Sequence, residues 1–263
     1  MYRSLLYVPA HSERFVGKAH ERGADAIILD LEDAVPEADK DSARANLSDS
    51  VRRVGQAGAA VLVRINAGAR AADDARAAAA AGAQAVVVAK AEPAGLRALA
   101  PLGVELIAML ESPAAILEAR ACAALPAVIG LMVGGEDLAT ALGAQPTPEV
   151  LRLPKLLAHY AARAEGKLSF GLLRSVADYS DLAALRAAAE EARMHGFDGA
   201  SCVHPSAVPI LNAAFAPSAA EIDWARRVVA AAAHADAAFS LDGRMVDKPV
   251  VERARAVLGK AGA

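Results

Sequence analysis

Val104-Glu105-Leu106-Ile107-Ala108-Met109-Leu110-Glu111-Ser112-Pro113 joins an apolar run to a helix start through a single carboxylate. The stretch Val104–Leu110 is nearly continuous in apolar character, as expected of a parallel strand buried on both faces. Ser112 suits a helix cap and Pro113 the first helical position, so the segment reads as one strand–helix unit. Glu111 marks the junction. A second run, Ala127–Val133, passes through Gly134-Gly135 to Asp137, and a third, Ala60–Ile65, carries Arg64 near its end. Apolar runs rarely finish on carboxylates unless the strand ends converge on something that takes oxygen ligands. Two acids and a guanidinium at neighbouring strand ends suit a hard divalent cation, Mg²⁺ with Mn²⁺ as a substitute, and a small oxo acid.

The same unit recurs along the chain. Further runs are Ser4–Val8, Ala26–Leu31, Ala85–Ala89, Leu168–Leu172 and Ala200–Val203. Helical stretches lie between them, among them Ser12–Glu21, Asp41–Gln56, Arg70–Ala81, Pro113–Ala123 and Asp181–His195. About eight such units in a row predict a closed (β/α)₈ TIM barrel. An open doubly wound sheet is the competitor, but it usually carries a glycine-rich turn after its first strand. Here that turn reads Pro9-Ala10-His11-Ser12. Residues 1–216 are assigned to the barrel, and residues 217–263 to a C-terminal arm or lid expected to pack on its own barrel or a neighbouring subunit's. In the arm, a helix from Pro217-Ser218 to about Ala238 precedes a hairpin over 239–246 around Asp242-Gly243, then a helix Val250–Leu258.

Composition narrows the function. Of the 263 residues, 55% are hydrophobic and only 4% aromatic, the mark of a core built from Ala, Val and Leu. No apolar run reaches the roughly 18 residues of a spanning helix, so no membrane partner is expected. The N-terminal apolar stretch is too short for a signal peptide, which makes the cytoplasm the expected compartment. A net charge of −3 argues against nucleic acid. Cys122 and Cys202 lack metal-ligand or redox spacing and read as buried structural thiols.

Barrel sites lie where strands end. The polar strand ends are Asp30, Glu32 and Asp33, then Arg64 and Asn66, Lys90, Glu111 and His204, with Asp137 opening the helix after the sixth strand. Asp30 and Glu32 alternate onto one side and are expected to orient Arg64 and metal-bound water without touching the metal. Glu111 and Asp137 are read as metal ligands; the alternatives are a cap on the following helix for Glu111 and an ordinary first-turn helix carboxylate for Asp137. Lys90 is either a site cation or a strand-end lysine covering apolar surface. His204, just before Pro205, reads as a structural histidine more readily than a catalytic one.

At these residues the chain resembles the citrate lyase β-subunit-like family of CoA-ester lyases, relatives of the malyl-CoA lyases. The matching segments run in order: Arg3–Pro9 with Glu13-Arg14-Phe15, Asp25–Val35, Val63–Asn66, Leu110–Pro113, Gly134–Leu138, Gly196–Pro205 and Leu241–Pro249. The resemblance implies a (β/α)₈ barrel with Mg²⁺ on Glu111 and Asp137, and Arg64 against substrate oxygens. It implies a catalytic carboxylate at Asp247 in the arm, a CoA site near Arg14 and Lys18, and a homo-oligomer such as a trimer or hexamer. Two segments depart from the family pattern. His204-Pro205-Ser206-Ala207 ends in Ala where Gln is common, and Gly171–Ser175 lacks the expected acidic and aromatic positions. Both departures bear on the acyl group and leave the metal core intact.

The implied reaction is cleavage or formation of a 3-hydroxyacyl-CoA thioester such as citryl-, malyl- or citramalyl-CoA, giving a 2-oxo acid and an acyl-CoA. A thioesterase on the same scaffold is the alternative. A β subunit acting on a carrier-bound thioester inside a larger lyase complex is the third reading.

Overall fold

The eight apolar runs become eight parallel strands: β1 Ser4–Pro9, β2 Ala26–Asp30, β3 Ala60–Ile65, β4 Ala85–Val88, β5 Glu105–Leu110, β6 Val128–Val133, β7 Leu168–Phe170 and β8 Ala200–Cys202. They follow one another around a single sheet, with β8 returning to pair with β1. The structure is a computed structural model that describes residues 2–175, 180–235 and 237–262. The chain separates into two compact units, Tyr2–Ala213 and the part from Ala214 onward.

Between β7 and β8 the sheet closes through a bridge at Phe170 and Gly199. Gly171 N–H donates to Gly199 O at 2.9 Å, and Asp198 N–H to Ser169 O at 2.9 Å. The Asp198 carboxylate completes the seam, accepting from Ser169 N–H at 2.9 Å and from Arg163 at 2.7 Å. The first unit is therefore the (β/α)₈ barrel that the succession of runs predicts.

Alternate positions along the strands point inward and fill the barrel: Leu5, Ile28, Leu62, Val87, Ile107, Met109 and Phe170 are all buried together. Helices cover the outer face. Several are broken where the sequence reads as continuous. The stretch 41–56 splits into Lys40–Ala45 and Leu47–Gly55 at Asn46, and 113–123 into Pro113–Leu117 and Ala119–Ala123 at Glu118. Ser112 does cap its helix, accepting from Ala115 N–H at 3.1 Å.

The second unit pairs helix Ala219–Ala232 with helix Lys248–Ala261 over a small core of Ala225, Val228, Val246 and Ala254. Ser218 and Glu221 form a reciprocal capping box at the first of these helices. That helix stops at Ala232, short of the expected Ala238; the alanine-rich stretch carries no stop signal from which this end could be read. Strands β9 Phe239–Leu241 and β10 Arg244–Val246 make the hairpin, with Asp242 and Gly243 both left-handed (φ 51 and 73) as its tight turn demands. No helix among the described residues is long and apolar enough to cross a membrane.

The seam tolerates nothing larger than glycine at 199. A Cβ there would lie 2.8 Å from Arg3 O and 2.9 Å from Arg3 Cα, backbone atoms that cannot swing aside. Gly199→Ala is expected to destabilise the barrel by about 1–3 kcal/mol, the usual range for overpacking, measured by urea unfolding.

Candidate metal and substrate site

The inward positions that fill the core end in charge. Two residues beyond Ile28, Leu62 and Met109 on the same face stand Asp30, Arg64 and Glu111. Asp30 and Arg64 are direct partners across β2 and β3. Register alone therefore places them side by side, and they pair through both carboxylate oxygens, Nε–Oδ1 at 2.7 Å and Nη2–Oδ2 at 2.6 Å. Asp30 is 1% exposed and also accepts from the N–H groups of Glu32 and Ala34. The other guanidinium nitrogen lies 3.0 Å from Glu32 and 3.3 Å from Asp33. Burial works against the charge on Arg64, but the bonds to Asp30 more than offset it and hold the group above its ordinary pKa. The Tyr7 ring lies beneath, 5.1 Å from the guanidinium carbon. Burial raises the Tyr7 pKa well above the usual phenol range, so the ring faces the cation as a neutral phenol.

Glu111 is 6% exposed. Its Oε2 accepts the Lys90 backbone N–H at 2.5 Å. On the other side it is walled by the Gly134 backbone, where a Cβ would lie 2.6 Å from Glu111 Cγ. Gly134-Gly135 thus does more than turn the chain: the bare backbone lets the helix Gly135–Ala141, with Asp137 in its first turn, start against the Glu111 carboxylate. Burial, then the negative charges of Asp137 and Glu32, push Glu111 up to about 7 against the opposing Lys90 amide and Arg64. Burial and Asp33 likewise push Glu32 up to about 7. The Lys90 ammonium lies 3.5 Å from Glu32, whose charge raises the lysine's pKa.

Tyr7, Asp30, Arg64, Glu111, Glu136 and Asp137 line one cleft of about 390 Å³. Glu111 and Asp137 both open on this cleft, and burial, reinforced by the charges of Asp137 and Glu32, draws Glu111 toward protonation, a strain that a divalent cation would relieve. Among the described residues no three His, Cys, Asp or Glu side chains form a ready-made cage. Mg²⁺ is commonly held by one or two carboxylates, with waters and substrate oxygens completing its shell. Glu111 and Asp137 fit that pattern.

A second cleft of about 480 Å³ is lined by Arg14, Phe15, Lys18, Arg22 and His204, and shares Tyr7, Pro9 and Val203 with the first. The two adjoin along these residues. Arg14 and Lys18, both expected there, are joined by Arg22, and Arg14 stacks 5.6 Å over Phe15. His204 caps the short turn after β8, its Nδ1 accepting from Ser206 N–H at 3.2 Å. Asp247 belongs to the second unit, where it caps the final helix by accepting from Val250 N–H at 3.3 Å. Cys122 and Cys202 are buried, and burial pushes both thiols up, to about 11 and about 12.

Several residues of the site escape a reading of strand ends alone. Tyr7 precedes the end of β1, and the two-residue period from Leu5 was the signal that points it inward. Lys90 acts on Glu111 through its backbone, which no side-chain pattern shows. Lys40 ties two strand ends together, donating to Asn66 Oδ1 at 2.5 Å and to Glu32 O at 2.7 Å. Buried Asp74 in turn accepts from Asn66 Nδ2 at 2.7 Å.

The model of the HpcH/HpaI aldolase/citrate lyase family matches residues 3–205. The chain belongs to that family. A (3S)-malyl-CoA thioesterase of Cereibacter sphaeroides is 37% identical, across 100% of this chain and 95% of its own. A citrate lyase subunit beta-like protein of Mycobacterium tuberculosis is 37% identical, across 98% and 94%. The crystal structure of CitE from M. tuberculosis in complex with magnesium, acetoacetate and coenzyme A superposes with a TM-score of 0.83 at 35% identity, covering 99% of this chain and 98% of that one. A further CitE structure holds magnesium and pyruvate, at a TM-score of 0.75 and 31% identity over 97% of both chains.

The raised carboxyls set a pH dependence. Their folded-state pKa values, about 7, exceed the ordinary 4.5, so their contribution to stability is full below about pH 4.5 and lost as pH rises through 7. The metal-free protein is expected to melt at lower temperature at pH 7.5 than at pH 5.5 on this account, with Glu111→Gln flattening the slope. Mg²⁺ added at pH 7.5 should raise the melting temperature, as a ligand of the folded form alone does. Calorimetric scans across this pH range check both signs.

Proposed function

We propose that this protein is an Mg²⁺-dependent CoA-ester lyase that cleaves or forms a 3-hydroxyacyl-CoA thioester, with a 2-oxo acid and an acyl-CoA as the other side of the reaction. One observation carries the reading: the acid-and-arginine cleft and the basic cleft share Tyr7, Pro9 and Val203, so an oxo acid and a CoA thioester fit end to end. The relatives that bind magnesium, coenzyme A and small oxo acids support it.

Glu111 and Asp137 hold the cation in this reading. When bound, Mg²⁺ supplies a Lewis acid that draws negative charge from the oxygens of the oxo acid. Arg64 stabilises the oxygen of the enolate left when the carbon–carbon bond breaks, an effect typically worth about 3 kcal/mol per donor. Asp30 fixes the guanidinium so that no reorganisation is needed at that moment, and Glu32 supports Arg64 and orients water. Arg14, Lys18 and Arg22 take the phosphates of CoA. Asp247, on the arm of a neighbouring protomer, protonates the enolate carbon in cleavage and removes a proton from the acyl-CoA methyl in condensation. The protein acts as a homo-oligomer, trimer or hexamer, in the cytoplasm.

The thioesterase reading has its own support in the relative named for that activity. Glu32, drawn up to about 7 beside the cleft, has the proton affinity of a base that activates water. Incubation of the purified protein with Mg²⁺ and malyl-, citramalyl- and citryl-CoA separates the two. Oxo acid plus acyl-CoA is the expected outcome; free hydroxy acid plus CoA replaces the lyase by the thioesterase. Silence with all three favours a subunit acting on a carrier-bound thioester.

Asp247→Asn should abolish exchange of acetyl-CoA methyl protons with deuterated solvent, followed by NMR, while Mg²⁺ binding persists. Exchange at the native rate would place the base elsewhere.

A further inference from the structure

Just beyond β4, Lys90 has φ 49, the left-handed region that residues with side chains seldom adopt. Among the described non-glycine residues only Asp242 shares it, and Asp242 sits in a tight hairpin turn. Lys90 has no hairpin to make. At Lys90 the backbone instead meets a side chain: the N–H donates to Glu111 Oε2 at 2.5 Å, and the next amide, Ala91, returns to Met109 O at 2.9 Å. The β4–β5 hydrogen bonding therefore runs past the end of the strand, with a carboxylate oxygen in the place of a backbone acceptor. Gly134, lacking a side chain, leaves the other side of the same carboxylate clear, where a Cβ would collide with Glu111 Oε1 and Cγ. The lysine's own side chain does something separate, reaching Glu32 with about half of its surface exposed.

We infer that Lys90 is a positioning residue for the metal, acting through its main-chain amide rather than its ammonium. The left-handed turn is the device. It holds one Glu111 oxygen on the amide and so fixes the plane of the carboxylate, leaving the other oxygen for the cation. Unusual backbone conformations persist where the surroundings over-determine them, commonly at functional sites. An outer partner that orients a ligating carboxylate is of the kind whose loss weakens metal binding. The inference rests on the proposal that Glu111 and Asp137 bind Mg²⁺.

Lys90→Gly, Lys90→Asn and Lys90→Val all remove the ammonium but differ in their tolerance of a left-handed backbone. Glycine and asparagine adopt it readily, whereas the branched Cβ of valine opposes it. Mg²⁺ titration by calorimetry is the readout, with thermal melts to confirm folding. The Gly and Asn proteins should bind Mg²⁺ alike, and the Val protein roughly tenfold more weakly than either. Should the Val protein not fold, Lys90→Ala against Lys90→Gly makes the same comparison, with Ala the weaker binder. Equal affinity across the folded variants overturns the inference. Wild-type protein that binds no Mg²⁺, or binding that survives Glu111→Gln, overturns the metal reading itself. Binding that is lost in Glu111→Gln yet indifferent to the residue at 90 overturns only the role of Lys90.

Discussion

The two-residue period of a buried parallel strand governs the mouth of this barrel. Side chains that fill the interior at Ile28, Leu62 and Met109 oblige the next inward positions to face the same axis, and those positions are Asp30, Arg64 and Glu111. Charge placed there cannot turn outward without moving the core residue beneath it. Each charged group must therefore find its compensation at the rim. Arg64 finds it in Asp30, its direct cross-strand partner, and Glu111 finds only part of it in one amide. That deficit at Glu111 makes it receptive to a cation.

The same geometry separates the roles of acids that look alike in the sequence. Asp30 is saturated, with Arg64 on both oxygens and two backbone N–H groups besides. Glu32 shares Arg64 and lies near Lys90, while burial raises its affinity for a proton. Asp33 is exposed and adds only a longer contact to the guanidinium. Removing Arg64 would leave the buried Asp30 carboxylate without its counter-charge, a loss of the order of 3–5 kcal/mol in comparable cases, whereas Arg64 without Asp30 would still face Glu32 and Asp33. The pair is thus as much a structural element of the β2–β3 edge as part of the site.

The fold and the gathering of polar strand ends were legible in the sequence. Continuous apolar runs separated by helical stretches announce a parallel sheet, and polar residues confined to the ends of those runs announce one functional face. Arg14 and Lys18 do line a cleft joined to the acids, through Tyr7, Pro9 and Val203. What the runs could not show was anything carried by backbone. The Lys90 amide on Glu111 and the bare wall at Gly134 depend on φ, ψ and close approach, which side-chain identity encodes only weakly. Helix breaks at Asn46 and Glu118 escaped for a related reason, since neither residue is a strong helix stop.

The sequence by itself determined the class of fold and which residues stand at strand ends, because burial on both faces and the strand period are properties of local pattern. Family membership follows from the same ordered motifs over residues 3–205. Tertiary structure alone decided which acid is neutralised by Arg64 and which is left facing the cleft, because that depends on cross-strand register. It also decided that the two clefts share a wall and that the amide of a left-handed lysine holds Glu111. Those outcomes arise from contacts between residues far apart in the chain, which only closure of the barrel brings together.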